Sequence, residues 1–360
     1  MNCSSQDGPN IIAGIRRWFR VPQVFLGLIL VAASLSACNK PQDMIAPPLP
    51  PSMAVQPRAV LQGHSGSVYG LAITPNGKLL VSGGEDKTVR LWDVSTGKQR
   101  ACFQGHTGLV FCVALSADGK TAASGSLDGT VKLWDVGTGK ELTSLMGHRK
   151  MVRSIAFSPD GGMIASASED GFIMLWDALT GKREASLKHD TQSTILPLMV
   201  TSLSFSDDGK LLVSAGGDQT VKLWDVVSRK EQTFWRPPFA IVRSVAFSPN
   251  GKMLAAGGGP AAQPGEAVLW EVATGKEHSR VNGHSLPITC VAFLEKGKSL
   301  ATASADQTVK FWDVATGKET NSIHAHDKTV FCVAFTADGK TMATAGGDGI
   351  VKLWDLTEHN

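Results

Sequence analysis

A Leu-Trp-Asp triplet, or a near variant of it, ends at Asp93, Asp135, Asp177, Asp225, Glu271, Asp313 and Asp355. The tryptophans of successive triplets lie 42, 42, 48, 46, 42 and 42 residues apart. A chain that repeats at a nearly fixed period is a string of small units, each burying its apolar faces on the next. Inside each copy the local pattern is that of short strands. "SVYGLAI" and "VFCVALS" are rich in β-formers, and "TVRLWDV" and "TVKLWDV" alternate apolar and polar residues. Asn-Gly and Asp-Gly recur between such runs, at 76–77, 118–119, 160–161, 208–209 and 250–251, where tight hairpin turns need positive φ. The "GTGK" at 137–140 also lies between strands, so it is no phosphate loop, which requires GxxxxGK[ST] ahead of a helix.

Seven copies with four strands each predict an all-β fold, a seven-bladed β-propeller of four-stranded antiparallel blades. With Gly-His before the first strand and Trp-Asp in the third, residues 58–356 resemble the WD-repeat (Trp-Asp repeat) propellers. The propeller domain is expected over 58–360. The last copy has no outer strand after Asp355, and Arg58–Gln62 is an orphan strand. It is expected to pair with the last blade, close the ring and hide a strand edge.

Four polar positions recur in register. They are His64, Ser82, Asp86 and Trp92 in blade one, then His106, Ser124, Asp128 and Trp134 in blade two. Blade three has His148, Ser166, Asp170 and Trp176; blade six has His284, Thr302, Asp306 and Trp312; blade seven has His326, Thr344, Asp348 and Trp354. An Asp, a His and a Ser together invite a hydrolase reading. A catalytic triad is needed once, however, and five copies argue for a structural role. The resemblance implies a chain in which Asp binds His, His binds the hydroxyl, and the hydroxyl takes the Trp N–H. Blade four keeps Ser214, Asp218 and Trp224, but His189 misses the His slot by one residue. Blade five has Pro238, Ala256 and Pro260 in place of His, Ser and Asp.

The two long steps are insertions. One adds six residues to the loop entering blade four, "LKHDTQSTILPLMV" at 187–200, which carries Ile195, Leu196 and Met199. The other lies in "GGGPAAQPGEA" of blade five. In propellers of the resembled family both loops open on the top face, and between them "FWRPPFAI" brings Trp235, Arg236 and Phe239. The position after the first strand valine also often faces the top. Here it reads Tyr69, Phe111, Arg153, Thr201, Arg243, Thr289 and Phe331, with Met151 and Met199 among the residues before the valine. These aromatic, Arg and Met side chains form the candidate partner site. A second reading, in which the blade-five apolar residues fold back over a weakened blade, stays open.

The net charge of +3 is spread along the chain, which argues against a nucleic-acid partner. Six cysteines without a Cys-x-x-Cys give no zinc signature, and Cys112, Cys290 and Cys332 occupy matching places as small core residues. Glu85 and Glu169 each precede a network Asp, but Leu127, Gly217, Ala305 and Gly347 stand at matching places, so no carboxylate ring forms. No catalytic residue, metal or cofactor is expected. Ahead of the repeats, Arg16, Arg17 and Arg20 precede the apolar run Val24–Ser36, too short to span a bilayer core of about 30 Å. The run leads into "LSAC", which resembles the lipobox of bacterial lipoproteins. The resemblance implies a leader over 1–37, cleavage before Cys38, acylation of Cys38 with palmitate-type chains, and a membrane contact through lipid alone. Six prolines then make 38–57 a stalk. The expectation is a bacterial envelope lipoprotein facing the periplasm or exterior, displaying a monomeric, non-catalytic scaffold for a protein or peptide. Two alternatives are a cytoplasmic WD-repeat scaffold with a misassigned start, and use of the central channel by a small ligand or an enzymatic reaction.

Overall fold

The computed structural model describes residues 56–189, 199–294 and 297–356. They form seven four-stranded antiparallel sheets, each built in simple up-and-down order. Blade one runs Val68–Ile73, Leu79–Gly84, Val89–Asp93 and Gln99–Phe103 from the inside outwards. The first strands of neighbouring blades pack on one another all the way round, and Val330–Phe335 of blade seven returns to Val68–Ile73 of blade one. The outer strand of blade seven is Ala59–Leu61, with Val60 opposite Lys352. Arg58 ties this strand down, bonding Asp355 at 2.7 Å and the Val94 carbonyl of blade one at 2.9 Å.

Side chains cap the turns. In the first hairpin of most blades a hydroxyl donates to an Asn or Asp two residues on, as Ser158 does to Asp160 at 2.5 Å, and the following glycine takes positive φ (Gly161, 74°). In blades one to four and six the aspartate of the Trp-Asp pair caps the third turn. Asp135 Oδ1 accepts the Thr138 N–H at 2.6 Å and its hydroxyl at 2.7 Å, and in blade five Glu271 takes the Thr274 hydroxyl at 2.9 Å. Such Asx-type caps explain why a short acceptor follows the tryptophan.

The core lies between blades rather than inside any one sheet. Val81, Leu91 and Phe103 of blade one share a cluster with Val110, Val113 and Trp134 of blade two. The second strands are buried almost throughout and consist largely of small residues, which lets sheets stack closely. A Cβ added at Gly125 would lie 2.6 Å from Val152 of the next blade.

One irregularity repeats seven times. In every innermost strand the register slips by one residue just after its first valine or isoleucine. The extra residues are Tyr69, Phe111, Arg153, Thr201, Arg243, Thr289 and Phe331. A bulge removes its residue from the in-out alternation and re-aims its side chain.

Candidate functional site

The polar network is built five times with nearly constant geometry. In blade two His106 Nδ1 lies 3.0 Å from Asp128, its Nε2 lies 2.7 Å from the Ser124 hydroxyl, and the Trp134 N–H donates to that hydroxyl at 2.8 Å. Blades one, three, six and seven repeat these contacts at 2.7–3.0 Å. A carboxylate only accepts, so Nδ1 donates to it; neutral Nε2 then accepts the hydroxyl proton, leaving the oxygen free for Trp. Burial holds His64 and His326 below the usual imidazole range despite their aspartates. Burial alone would raise the Asp306 carboxyl, but bonds from His284 and Thr308 outweigh it and bring it down to about 2. A polar chain satisfied at every atom avoids the several kcal/mol that isolated burial of such groups costs.

Blade four departs less than its spacing predicts. The backbone N–H of His189 bonds Gly171 O, as that of Ala325, the residue before the blade-seven His326, bonds Gln307 O of blade six, so His189 does sit one residue early. Its ring still reaches the network place, 6.4 Å from Trp224 and buried, but Nδ1 stands 3.7 Å from Asp218 and Nε2 has no partner among the described residues.

In blade five the second reading of the sequence holds for Trp235 and Phe239. Both were expected on a binding edge; they are 8% and 6% exposed and belong to the core around Trp270. Trp235 is no loop residue. It ends the outer strand of blade four opposite Val221, the place Phe103 takes opposite Val89, and packs 6.0 Å from Trp270 as Phe103 packs 5.6 Å from Trp134. Its N–H is satisfied by Gly275 O at 2.9 Å. Phe239 takes the volume of the missing histidine. A Cβ on Gly258 would meet the Phe239 ring at 3.0 Å, where one on Gly84 meets His64 at 2.7 Å. The register signal was available, since Trp235 follows Trp224 by the same eleven residues that separate Phe103 from Trp92. Arg236 remains exposed, over the ring of Phe234 at 5.7 Å. Ile195, Leu196 and Cys38 lie outside the described residues, as do the expected leader and most of the stalk.

The bulge residues converge. Tyr69 stacks on Phe111 with centroids 4.7 Å apart and meets Phe331 edge-on at 5.0 Å, so three blades contribute one aromatic surface. Arg153 lies 5.3 Å over Phe111 and is held by Glu169, Nε to Oε1 at 2.9 Å. Thr201 and Thr289 turn inward, each donating to a carbonyl of its own blade and to Val242 O or Val330 O of the next. Arg243 is part-buried, and burial followed by the charge of Arg153 holds its guanidinium below the usual range. Met151 and Met199 stand one residue before the first strand valine, part-buried, and their carbonyls accept the N–H of Glu169 and Gly217. Among the described residues no group of three or more His, Cys, Asp or Glu is placed to hold a metal ion. Cys112 is buried, and its thiol is pushed up to about 12.

Seven sheets closed into a ring, with a Trp-Asp pair in most of them, define a WD-type propeller. The family profile described as "WD domain, G-beta repeat" matches residues 55–93, 97–135, 139–177, 186–225, 231–259, 275–313 and 317–355, and the chain belongs to that family. Curated relatives include the ribosome biogenesis protein erb1 of Neosartorya fischeri, 39% identical over 69 residues. Others are ERB1 of Ajellomyces capsulatus, 41% over 69 residues, and the BOP1 homolog of Monosiga brevicollis, 41% over 59. These matches cover 16–18% of this chain and 7–9% of the relatives' length. They correct the expectation of a bacterial envelope lipoprotein and of an envelope location: the relatives are eukaryotic ribosome biogenesis proteins, and the cytoplasmic scaffold raised as an alternative agrees with them better.

Proposed function

We propose that the propeller is a cytoplasmic scaffold that binds a protein or peptide at the mouth of its channel, on the face bearing the seven bulges. The observation that carries this reading is the convergence of Tyr69, Phe111 and Phe331 from three separate blades, with Arg153 stacked on the edge of the group. None of these side chains is needed to pair a strand. All are part-buried, and aromatic and Arg residues are the types that anchor interfaces. Met151 and Met199, one residue before the first strand valines of blades three and four, are part-buried and offer adaptable apolar surface. The relatives are ribosome biogenesis proteins, which makes ribosome-assembly particles the first place to look for the partner.

The test is affinity capture from a cell extract with wild type and the Tyr69→Ala, Phe111→Ala double variant. A co-sedimentation arm with ribosomal particles tests the partner class suggested by these relatives. Loss of a partner from the double variant at unchanged melting temperature is the expected result. An identical set of captured proteins would end the channel-mouth reading.

A further inference from the structure

Two of the seven bulge residues are arginines, and they occupy equivalent places. The backbone contact beside each is the same: Glu169 N–H bonds Met151 O at 3.0 Å in blade three, and Gly259 N–H bonds Ile241 O at 3.2 Å in blade five. In blade three the residue at this turn is a carboxylate, and it takes the Arg153 guanidinium at 2.5 and 2.9 Å. In blade five it is a glycine. Among the described residues Arg243 makes no hydrogen bond and no ion pair, and its Nε–H is shut off from solvent with no acceptor. Arg90 also has an unpaired buried Nε, but its other nitrogens are held by Gln99 and Asp86. Arg243 has no such compensation.

The deficit extends along the edge of the blade. Every other blade places an aspartate at the next position, whereas blade five has Pro260. Glu266, further along the same blade, acts on Arg280 instead. A guanidinium N–H withdrawn from water without an acceptor is destabilising, and a bound acceptor removes that cost. Glu169 pairs with Arg153, and Glu85, at the matching turn of blade one, accepts the Ser67 N–H and acts on Tyr69, so Arg243 is the one bulge arginine whose positive charge is left unpaired. That balance fits a monoanion, and the side-on pair of N–H groups on arginine matches the two oxygens of a carboxylate.

We propose that Arg243 receives a carboxylate of the bound peptide, which takes on Arg243 the place Glu169 takes on Arg153, while the Tyr69–Phe111–Phe331 surface takes a neighbouring apolar side chain. This rests on the channel-mouth reading above and specifies its ligand.

The experiment follows the arginine Nε–H resonances of the isotope-labelled full chain. The Arg243 signal is assigned by its loss in Arg243→Lys. Three probes are titrated: N-acetyl-Phe-Glu-amide, its Gln counterpart, and the counterpart with phosphoserine in place of Glu. The Arg243 resonance should move saturably with the Glu peptide, in the millimolar range expected of so small a probe, and stay still with the Gln peptide. Arg243→Lys should weaken the Glu peptide about tenfold or more, from the loss of a two-point charged contact. Glu169→Gln should bind it more tightly by freeing a second guanidinium. A resonance indifferent to the Glu peptide, or a clear preference for phosphoserine, would overturn the carboxylate assignment. Partner capture lost in the Tyr69→Ala, Phe111→Ala variant but intact in Arg243→Lys would overturn this inference alone and leave the scaffold reading standing.

Discussion

Blades three and five meet the same structural demand in opposite ways. Blade three fills the space beside its tryptophan with a satisfied polar chain, His148 between Asp170 and Ser166, with Trp176 closing it. Blade five fills the same space with carbon. Phe239 lies where the imidazole would be, Ala256 stands for the serine, and Trp235 packs on Trp270 as an aromatic packs on the tryptophan of blade two. What the two blades share is a filled volume, and either chemistry achieves that; blade four fills it too but leaves His189 Nε2 without a partner among the described residues. The inserted loop is also supported: Gly265 extends the third strand to pair with His284, and a Cβ there would come within 2.5 Å of Ile288 N. The two blades differ again at the channel, one arginine neutralised and the other free.

The comparison is most open to attack at Trp235. If the blade-five core is held by carbon alone, Trp235→Ala removes its largest contribution and should cost about 3–5 kcal/mol in urea denaturation. A cost below about 1 kcal/mol would return Trp235 to the surface role expected from the sequence. The blade-three counterpart is Asp170→Ala, which strands the His148 Nδ1–H and the Arg149 N–H together. A loss of about 1–3 kcal/mol is expected, with any partner capture retained. Phe239→His in blade five should cost a similar amount, because neither Pro260 nor Ala256 can satisfy the new ring. A neutral Phe239→His would break the claim that the two solutions cannot be mixed.

Periodicity displayed the architecture almost completely, since each blade carries its own turn residues and apolar alternation. The network was legible for the same reason: identical residues at identical spacing in five copies. Trp235 and Phe239 were misjudged because motif counting was anchored on His and Asp, and in a blade lacking both, the apolar register of the outer strand was the better guide. His189 was placed correctly along the chain, but its reach into the network from one residue early is a side-chain matter that spacing does not encode. The bulge was invisible. A one-residue slip leaves "VRSIAF" and "VRSVAF" looking like ordinary strands, and the free charge on Arg243 emerges only when Gly259 is seen beside it.

Acid should separate the two blades next. The Asp170 carboxyl is held below its ordinary range by bonds from His148 and Arg149 that outweigh its burial, and Asp306 and Asp218 are held near 2. A carboxyl depressed in the folded state contributes stability that is complete above the unfolded value near 3.8 and is lost as pH falls through the folded value. His64 and His326 add to the trend, because their depressed values make protonation favour the unfolded chain below about 6.5. The melting temperature should therefore fall on acidification, and it should fall less in Asp170→Ala, which has already lost one such group. Blade five has none at its network positions, so Trp235→Ala should leave the acid slope unchanged. A flattened slope in Trp235→Ala would show that blade five carries hidden titrating groups.

The smallest stability effect belongs to the variant that erases the difference at the channel. Glu169→Gln removes the carboxylate from Arg153 while keeping the length and hydrogen-bonding ends of the side chain. The pair is about one-third and one-quarter exposed, so water already screens it, and its loss should cost no more than about 1 kcal/mol. The Arg153 guanidinium keeps its contact with Phe111, and the amide oxygen of Gln can still accept one N–H, which also argues for a mild change. Blade three then presents a cation as blade five does, with its polar network intact beneath it. If the free arginine in blade five owes its character only to the missing carboxylate, Glu169→Gln should bind a carboxylate probe better than wild type at nearly unchanged melting temperature. If carboxylate binding does not increase while stability holds, the distinction lies in the inserted loop around Gly259 and not in the charge balance.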